Sequence, residues 1–123
     1  MLQLAIQNSS EVTTVWCRGR IVLGGRLNLL KVVTFSQTSA EVMLDLSRVN
    51  LIDAAGLGAL VDLHKRFQCA SRKMELRDPT GFVYHLLRIT RLDTVFHMVR
   101  TLHIGVDART PPSWSGFIER PNR

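Results

Sequence analysis

Cysteine is scarce in this chain, and its two residues lie far apart. Cys17 falls in a predicted strand and Cys69 on a predicted helix, so they do not form the dense, even framework of small secreted domains. We therefore expect two free thiols. Long apolar runs are also missing, because none approaches the roughly 20 residues of a membrane-spanning helix, and the first residues lack signal-peptide blocks. These absences predict a cytoplasmic protein without a transmembrane segment.

Patterns that carry catalysis or metal binding are equally sparse. Tight metal-ligand spacing is missing around all four histidines, which are His64, His85, His97 and His103. The chain contains no nucleophile elbow, Walker loop or dinucleotide fingerprint. Asp45 and Asp53 fall near the end of a predicted central strand, where α/β sheets often bind ligands, but two carboxylates alone are a weak catalytic signal. We predict a protein that is not an enzyme and needs neither a metal nor a cofactor.

Acidic residues are outnumbered, since 16 Lys and Arg face 10 Asp and Glu and give a net charge of +6. Such an excess invites a nucleic-acid hypothesis, because cations that neutralise phosphates supply most non-specific affinity. The basic residues are spread along the whole chain, however, without a dense segment or interleaved aromatics. We therefore expect no direct nucleic-acid binding. An acidic protein partner or peripheral association with an anionic membrane would also suit this surface.

Hydrophobic periodicity predicts one α/β domain, for which 123 residues and a 46% hydrophobic content suffice. Alternating or continuous apolar patterns predict strands at 2–6, 12–17, 42–46, 73–77 and 95–99, and helical spacing predicts helices at 27–37, 54–70 and 80–89. This order predicts a mixed β-sheet, with 42–46 in its middle and helices packed on it in an α/β sandwich. We place the domain at 1–109, with weak structure at 101–108. The breaker-rich segment 110–123 is predicted to be a flexible or loosely docked tail.

The most informative stretch runs from residue 42 to residue 60. A predicted buried strand ends in Asp45-Leu46-Ser47, a short bridge follows, and the run Asp53-Ala54-Ala55-Gly56-Leu57-Gly58 opens the longest predicted helix. Asp53 can cap the free amides at the start of that helix, and the glycines permit close backbone approach. We expect Gly58 to serve internal packing, and leave Gly56 open between internal packing and a partner interface.

This stretch resembles the signature of the STAS domain family, the fold of the anti-sigma factor antagonists. The resemblance covers roughly residues 2–99. The run at 19–21 looks like the glycine turn that follows the family's second strand, 74–76 like its next strand, and 86–92 like the helix before its final strand. The resemblance implies a STAS-like fold and a non-catalytic module that binds a partner protein.

The resemblance also implies where the partner binds and how this chain departs from its relatives. The partner-binding residues would be Asp53, Ala54, Ala55, Gly56, Leu57 and Gly58. In partner-switching members, the residue after the aspartate is a Ser or Thr that a cognate anti-sigma kinase phosphorylates. Ala54 occupies that position here, so no phosphorylation is expected, and Val22 stands where many relatives have an acidic residue.

Two classes of function remain open on this resemblance. The first is a regulator whose partner is an anti-sigma factor or a serine kinase. The second is a STAS accessory subunit of an ABC-type membrane transporter, or a STAS sensor that holds a small ligand.

Overall fold

The computed structural model describes residues 2–9 and 11–101, which form a five-stranded sheet with helices packed on it. The strands are β1 (Gln3–Asn8), β2 (Val12–Ile21), β3 (Glu41–Ile52), β4 (Lys73–Arg77) and β5 (His97–Val99). The helices are α1 (Gly25–Ser36), α2 (Ala54–Cys69) and α3 (Gly81–Ile89), and a single 3-10 turn covers Leu92–Thr94.

The sheet is mixed, and its strands lie in chain order. β1 and β2 form an antiparallel hairpin, whereas β2, β3, β4 and β5 are parallel neighbours, so that β3 is the middle strand. The connections between the parallel neighbours all step in the same direction along the sheet, and one core cluster contains residues of all three helices, among them Leu30, Leu63 and Leu87. The predicted α/β fold, opening hairpin and central strand are thus confirmed.

The hydrophobic core lies between the sheet and the three helices. Alternate residues of β1 to β4 point to the helices and are buried, among them Val15, Leu44 and Leu76. α2 contributes Leu60 and Leu63 to the same core, because residues three and four positions apart share one helix face. This packing fixes the position of α2 on the sheet.

β2 and β3 extend further than the patterns predict. Gly19 does not form a turn after the second strand, as expected for the run at 19–21, but lies inside β2 with a φ of +109°. The pairing of β2 with β3 shifts between Trp16 and Arg18 and again between Gly19 and Arg20. A bulge of this kind favours a glycine and keeps the strands paired beyond it. The expected bridge at 48–52 therefore lies within the second half of β3.

The last strand is shorter than predicted. β5 begins at His97, because Phe96 still belongs to the turn that precedes it and donates its N–H to the carbonyl of Leu92 over 3.1 Å. Three expectations lie outside the described residues, apart from Thr101. They are weak structure at 101–108, a domain end at 109 and a flexible tail at 110–123.

Candidate functional site

Asp53 holds two segments together at the start of α2. Its Oδ1 accepts a hydrogen bond from the N–H of Gly56 over 2.8 Å, which caps the helix, and its Oδ2 accepts one from the N–H of Leu23 over 3.0 Å. The hydrogen bond from Leu23, followed by that from Gly56, lowers the pKa of Asp53 because both favour the charged carboxylate. The predicted cap is confirmed, and the structure adds a tether to the loop after β2.

Gly56 lies in tight contact with β2 and β3. A Cβ at this position would lie 2.0 Å from the carbonyl oxygen of Ile21 and 2.8 Å from Cγ1 of Ile52. No side chain fits there without a backbone shift. The alternative left open for Gly56 is thereby decided in favour of internal packing.

Gly58, by contrast, faces open space. It is exposed, and a Cβ added there would meet nothing within 4 Å. Our expectation that Gly58 serves internal packing is therefore wrong. The helix period explains the difference, because two residues along a helix differ by about 200° in direction, so the two glycines face opposite sides.

A shallow groove of about 360 Å³ runs between the first halves of α1 and α2. We call it the α1–α2 groove, and its lining is formed by Gly24, Leu27, Asn28, Lys31, Ala55, Gly58 and Ala59. Small residues on α2 leave the space open, since none of the lining residues that α2 contributes is larger than alanine. The groove presents both apolar surface and the ammonium group of Lys31.

The surface beside the groove is apolar and exposed. Ala54 is exposed at the first position of α2, and Leu23 has 77% of its surface accessible. Leu57, which the sequence also places in the site, is half-buried and packs against the core. Of the six expected site residues, the structure brings Asp53, Ala54, Ala55 and Gly58 to the surface region, whereas Gly56 and Leu57 support it from beneath. Sequence reasoning missed Leu23, although an apolar residue directly before the glycine pair Gly24-Gly25 was an available signal.

Lys31, which lines the groove, also belongs to an ion-pair cluster between α1 and α2. Lys31 Nζ and Arg66 Nε each lie 3.0 Å from Asp62 Oδ2. The hydrogen bond from Lys31, more than the neighbouring charge of Arg66, lowers the pKa of Asp62. The predicted pair of Asp62 with Arg66 is present, and Lys31 extends it across to α1.

The two aspartates that the sequence places near the end of the central strand do not form a pair. Asp45 is buried in the middle of β3, where its Oδ2 lies 2.7 Å from Nε of Arg77 and its Oδ1 accepts the N–H of Ser47 over 3.0 Å. Asp53 lies beyond the end of the strand at the helix cap. The arrangement offers no acid and base side by side.

Three further groups that the sequence analysis considered are His64 and the two cysteines. His64 packs edge to face against Phe96 with 5.4 Å between ring centres, and both cysteines are free. Burial, and then the charge of Asp45, raises the pKa of the Cys17 thiol, whereas Cys69 is exposed. In the part of the chain that the structure describes, no three His, Cys, Asp or Glu side chains gather as metal ligands would. None of the helices in that part is long and apolar enough to cross a membrane.

Comparison with known proteins gives the same fold. The model of the STAS domain matches residues 6–104. The structure is similar to that of an anti-sigma factor antagonist from Mycobacterium paratuberculosis, with a TM-score of 0.72, 18% identity, and coverage of 83% of this chain and 88% of that one. SpoIIAA of Bacillus in its phosphorylated form gives a TM-score of 0.62 at 12% identity, over 83% of this chain and 92% of the other. At such identities the likeness shows a shared fold.

Proposed function

Because the chain belongs to the STAS domain family, we propose that it is a non-catalytic module that resembles an anti-sigma factor antagonist and binds a partner regulator. The binding surface is the turn Asp53–Gly58 with the helix that follows, together with Leu23 and the α1–α2 groove. The observation that carries this proposal is the double anchoring of the helix start. Asp53 ties α2 to the loop at Leu23, and Gly56 seats it against Ile21, so that exposed apolar atoms are held in a fixed arrangement.

The proposed surface lacks the group that relatives use as a switch. Ala54 and Ala55, at the first two positions of α2, have no hydroxyl group that could accept a phosphate. A phosphate there would add nearly two negative charges at a helix N-terminus. The surface consequently stays in its unmodified form, and a kinase would not control binding through this turn.

The partner that fits the proposed function is an anti-sigma factor or a serine kinase in the cytoplasm. Nucleic acid is not expected to bind directly, because the net charge of +6 is distributed along the chain rather than concentrated in one segment. The groove admits an apolar side chain, and the cluster of Lys31, Asp62 and Arg66, in which two cations share one carboxylate, favours an acidic residue beside it.

Partner binding can be tested with one variant that fills the groove and one matched control. Gly58→Leu places a large side chain in the α1–α2 groove, where the added Cβ meets nothing within 4 Å. Gln68→Leu makes a similar change at an exposed position near the other end of α2. Both variants and the wild-type chain are used to capture proteins from the source cells, and the captured partner is then purified for titration. We expect Gly58→Leu to weaken binding at least tenfold and Gln68→Leu to leave it unchanged.

The helix start is tested separately by adding back polar groups. Ala54→Asp introduces a negative charge at the exposed first position of α2, and we expect it to lower affinity for the partner. Ala54→Ser restores a hydroxyl, and becomes a substrate if the partner is a kinase. Wild-type affinity in both Gly58→Leu and Ala54→Asp would show that the partner docks elsewhere.

The alternative function is an accessory subunit of an ABC-type membrane transporter, or a sensor of a small ligand. The net charge of +6 favours work beside an anionic membrane. The same capture experiment distinguishes the regulator from the accessory subunit. An accessory subunit would capture a transporter ATPase, whereas the regulator would capture an anti-sigma factor or a kinase.

A further inference from the structure

A second groove lies between α1 and α2, at the C-terminal ends of the two helices. We call it the distal groove, and its volume of about 370 Å³ is close to the 360 Å³ of the α1–α2 groove. Its surface is mostly apolar, and its lining consists of Phe35, Lys65, Arg66, Cys69 and Ala70. The ring of Phe35 is held in place, because it packs edge to face on Phe67 with 5.4 Å between ring centres. The carbonyl of Phe35 also accepts a hydrogen bond from Nη1 of Arg72 over 3.2 Å.

The two grooves follow one another along the seam between α1 and α2. The starts of both helices line the α1–α2 groove, and their ends line the distal groove. Between the grooves, Nζ of Lys31 lies 3.0 Å from Oδ2 of Asp62. Gly58 and Cys69, one from each lining, are eleven residues apart on α2, which corresponds to about 16 Å along the helix axis. Eleven residues make three turns and about 20° more, so both residues face the same side of α2.

The charge along this seam is positive. Lys31, Lys65 and Arg66 are three cations, and Asp62 is the one carboxylate that pairs with any of them, which leaves a net charge of +2. Among the described residues, Lys65 takes part in no ion pair. A carboxylate brought to the seam by a partner would therefore be attracted to it.

A single helix of the partner matches the two apolar grooves and the cations between them. Residues at positions 4, 7 and 11 after a first residue share its helix face, and the last of them lies about 16 Å away, as the second groove does. We propose that the partner binds through an acidic amphipathic helix that lies along α1 and α2, with apolar side chains eleven positions apart in the two grooves and acidic side chains between them. The proposal rests on the proposed function, which places the partner at the α1–α2 groove, and extends the interface to the distal groove.

A synthetic peptide of about eighteen residues carries this pattern and can be titrated against the full chain. It has two leucines eleven positions apart, two glutamates between them on the same face, and alanine and glutamine elsewhere to favour a helix. Fluorescence anisotropy of a dye on the peptide measures binding. One control peptide has lysine in place of each glutamate, and the other has its second leucine moved two positions earlier, which turns that side chain to the opposite face. We expect both control peptides to bind at least tenfold more weakly.

Variants of the chain test the two grooves separately. Gly58→Leu fills the α1–α2 groove, and Lys65→Glu reverses a charge in the distal groove. Arg88→Glu makes the same charge change at an exposed position of α3, where it lines neither groove. We expect Gly58→Leu and Lys65→Glu each to weaken peptide binding at least fivefold, and Arg88→Glu to leave it within twofold. Circular dichroism checks that all three variants remain folded.

The thiol of Cys69 reports directly on the distal groove. Cys69 is exposed in its lining, whereas Cys17 is buried and does not interfere. A saturating concentration of the peptide should slow the reaction of Cys69 with a thiol reagent at least tenfold. A peptide truncated before the second leucine reaches the α1–α2 groove alone, and should leave the reaction rate unchanged.

The inference and the proposed function fail by different results. The inference is overturned if the peptide does not bind, if the three peptides bind equally, or if Cys69 reacts as fast with the peptide as without it. It is also overturned if Gly58→Leu weakens binding of the peptide and Lys65→Glu does not, because the interface would then end at the α1–α2 groove while the proposed function stood. The proposed function itself fails if the captured partner binds both Gly58→Leu and Ala54→Asp with wild-type affinity.

Discussion

Replacement of Gly56 by alanine tests the contact on which the whole candidate site depends. The added Cβ would lie 2.0 Å from the carbonyl oxygen of Ile21, which is backbone and cannot turn aside. Overpacking of this kind costs typically 1 to 3 kcal/mol, and the upper end applies because the shift of α2 also strains the bond from Gly56 to Asp53. Alanine recovers about 1 kcal/mol of helix propensity. We expect Gly56→Ala to lower the free energy of unfolding by about 2 kcal/mol.

Gly58→Ala is the matched control, because it makes the same chemical change two positions along the same helix. Nothing lies within 4 Å of the added Cβ, so only the propensity gain of roughly 0.5 to 1 kcal/mol remains. Urea unfolding followed by circular dichroism measures both, and with an m-value of about 2 kcal/mol/M the midpoint for Gly56→Ala should fall by about 1 M. If the free energy of unfolding changed with the same sign in both variants, the close approach of α2 to Ile21 would be refuted.

Three further predictions concern charge and thiol chemistry. The hydrogen bonds that lower the pKa of Asp53 stabilise the folded state above its unfolded value of about 3.9, and this stability is lost as the pH falls through the lower folded pKa. The wild-type chain should therefore lose more stability than Asp53→Asn in urea titrations from about pH 5 to pH 2, and parallel curves would contradict this. Arg77→Met leaves the buried carboxylate of Asp45 unpaired and should cost about 3 to 5 kcal/mol in the same assay, whereas the double change with Asp45→Leu should recover most of it. A thiol reagent should label exposed Cys69 quickly and buried Cys17 only on unfolding. Rapid labelling of both thiols in the folded protein would contradict this prediction.

Sequence patterns identified the five strands and three α-helices of the described region, but they ended β2 and β3 several residues too early. β3 was predicted as 42–46 because four of those five residues are apolar, whereas its second half contains Ser47, Arg48 and Asn50. These polar residues remain in the strand because β2 continues beside them past its bulge, with Gly19 paired to Val49. Pairing with a neighbour therefore overrode local composition, and only the partner strand carries that information.

The position of the candidate site in the chain could be predicted from the sequence, but the role of each of its residues could not. The Asp53 cap follows from local chemistry, since a side-chain oxygen three residues before an amide can reach it in any helix. The roles of Gly56 and Gly58 could not be predicted in this way. They depend on which side of α2 meets β2, and that is decided by tertiary packing, which also brings Leu23 beside Asp53 across thirty residues.

The anchoring of α2 has a consequence for how such a surface can be regulated. Asp53 and Gly56 fix the helix start before any partner arrives, so little backbone ordering remains to oppose binding. A phosphate on a hydroxyl at the position of Ala54 would disrupt such a preformed surface by its charge and bulk. Ala54 removes that route without altering the anchors, because its side chain is exposed and takes no part in them. On the proposed function, occupancy of the partner then depends on the concentrations of the two proteins and on the state of the partner, and not on a covalent mark at this turn.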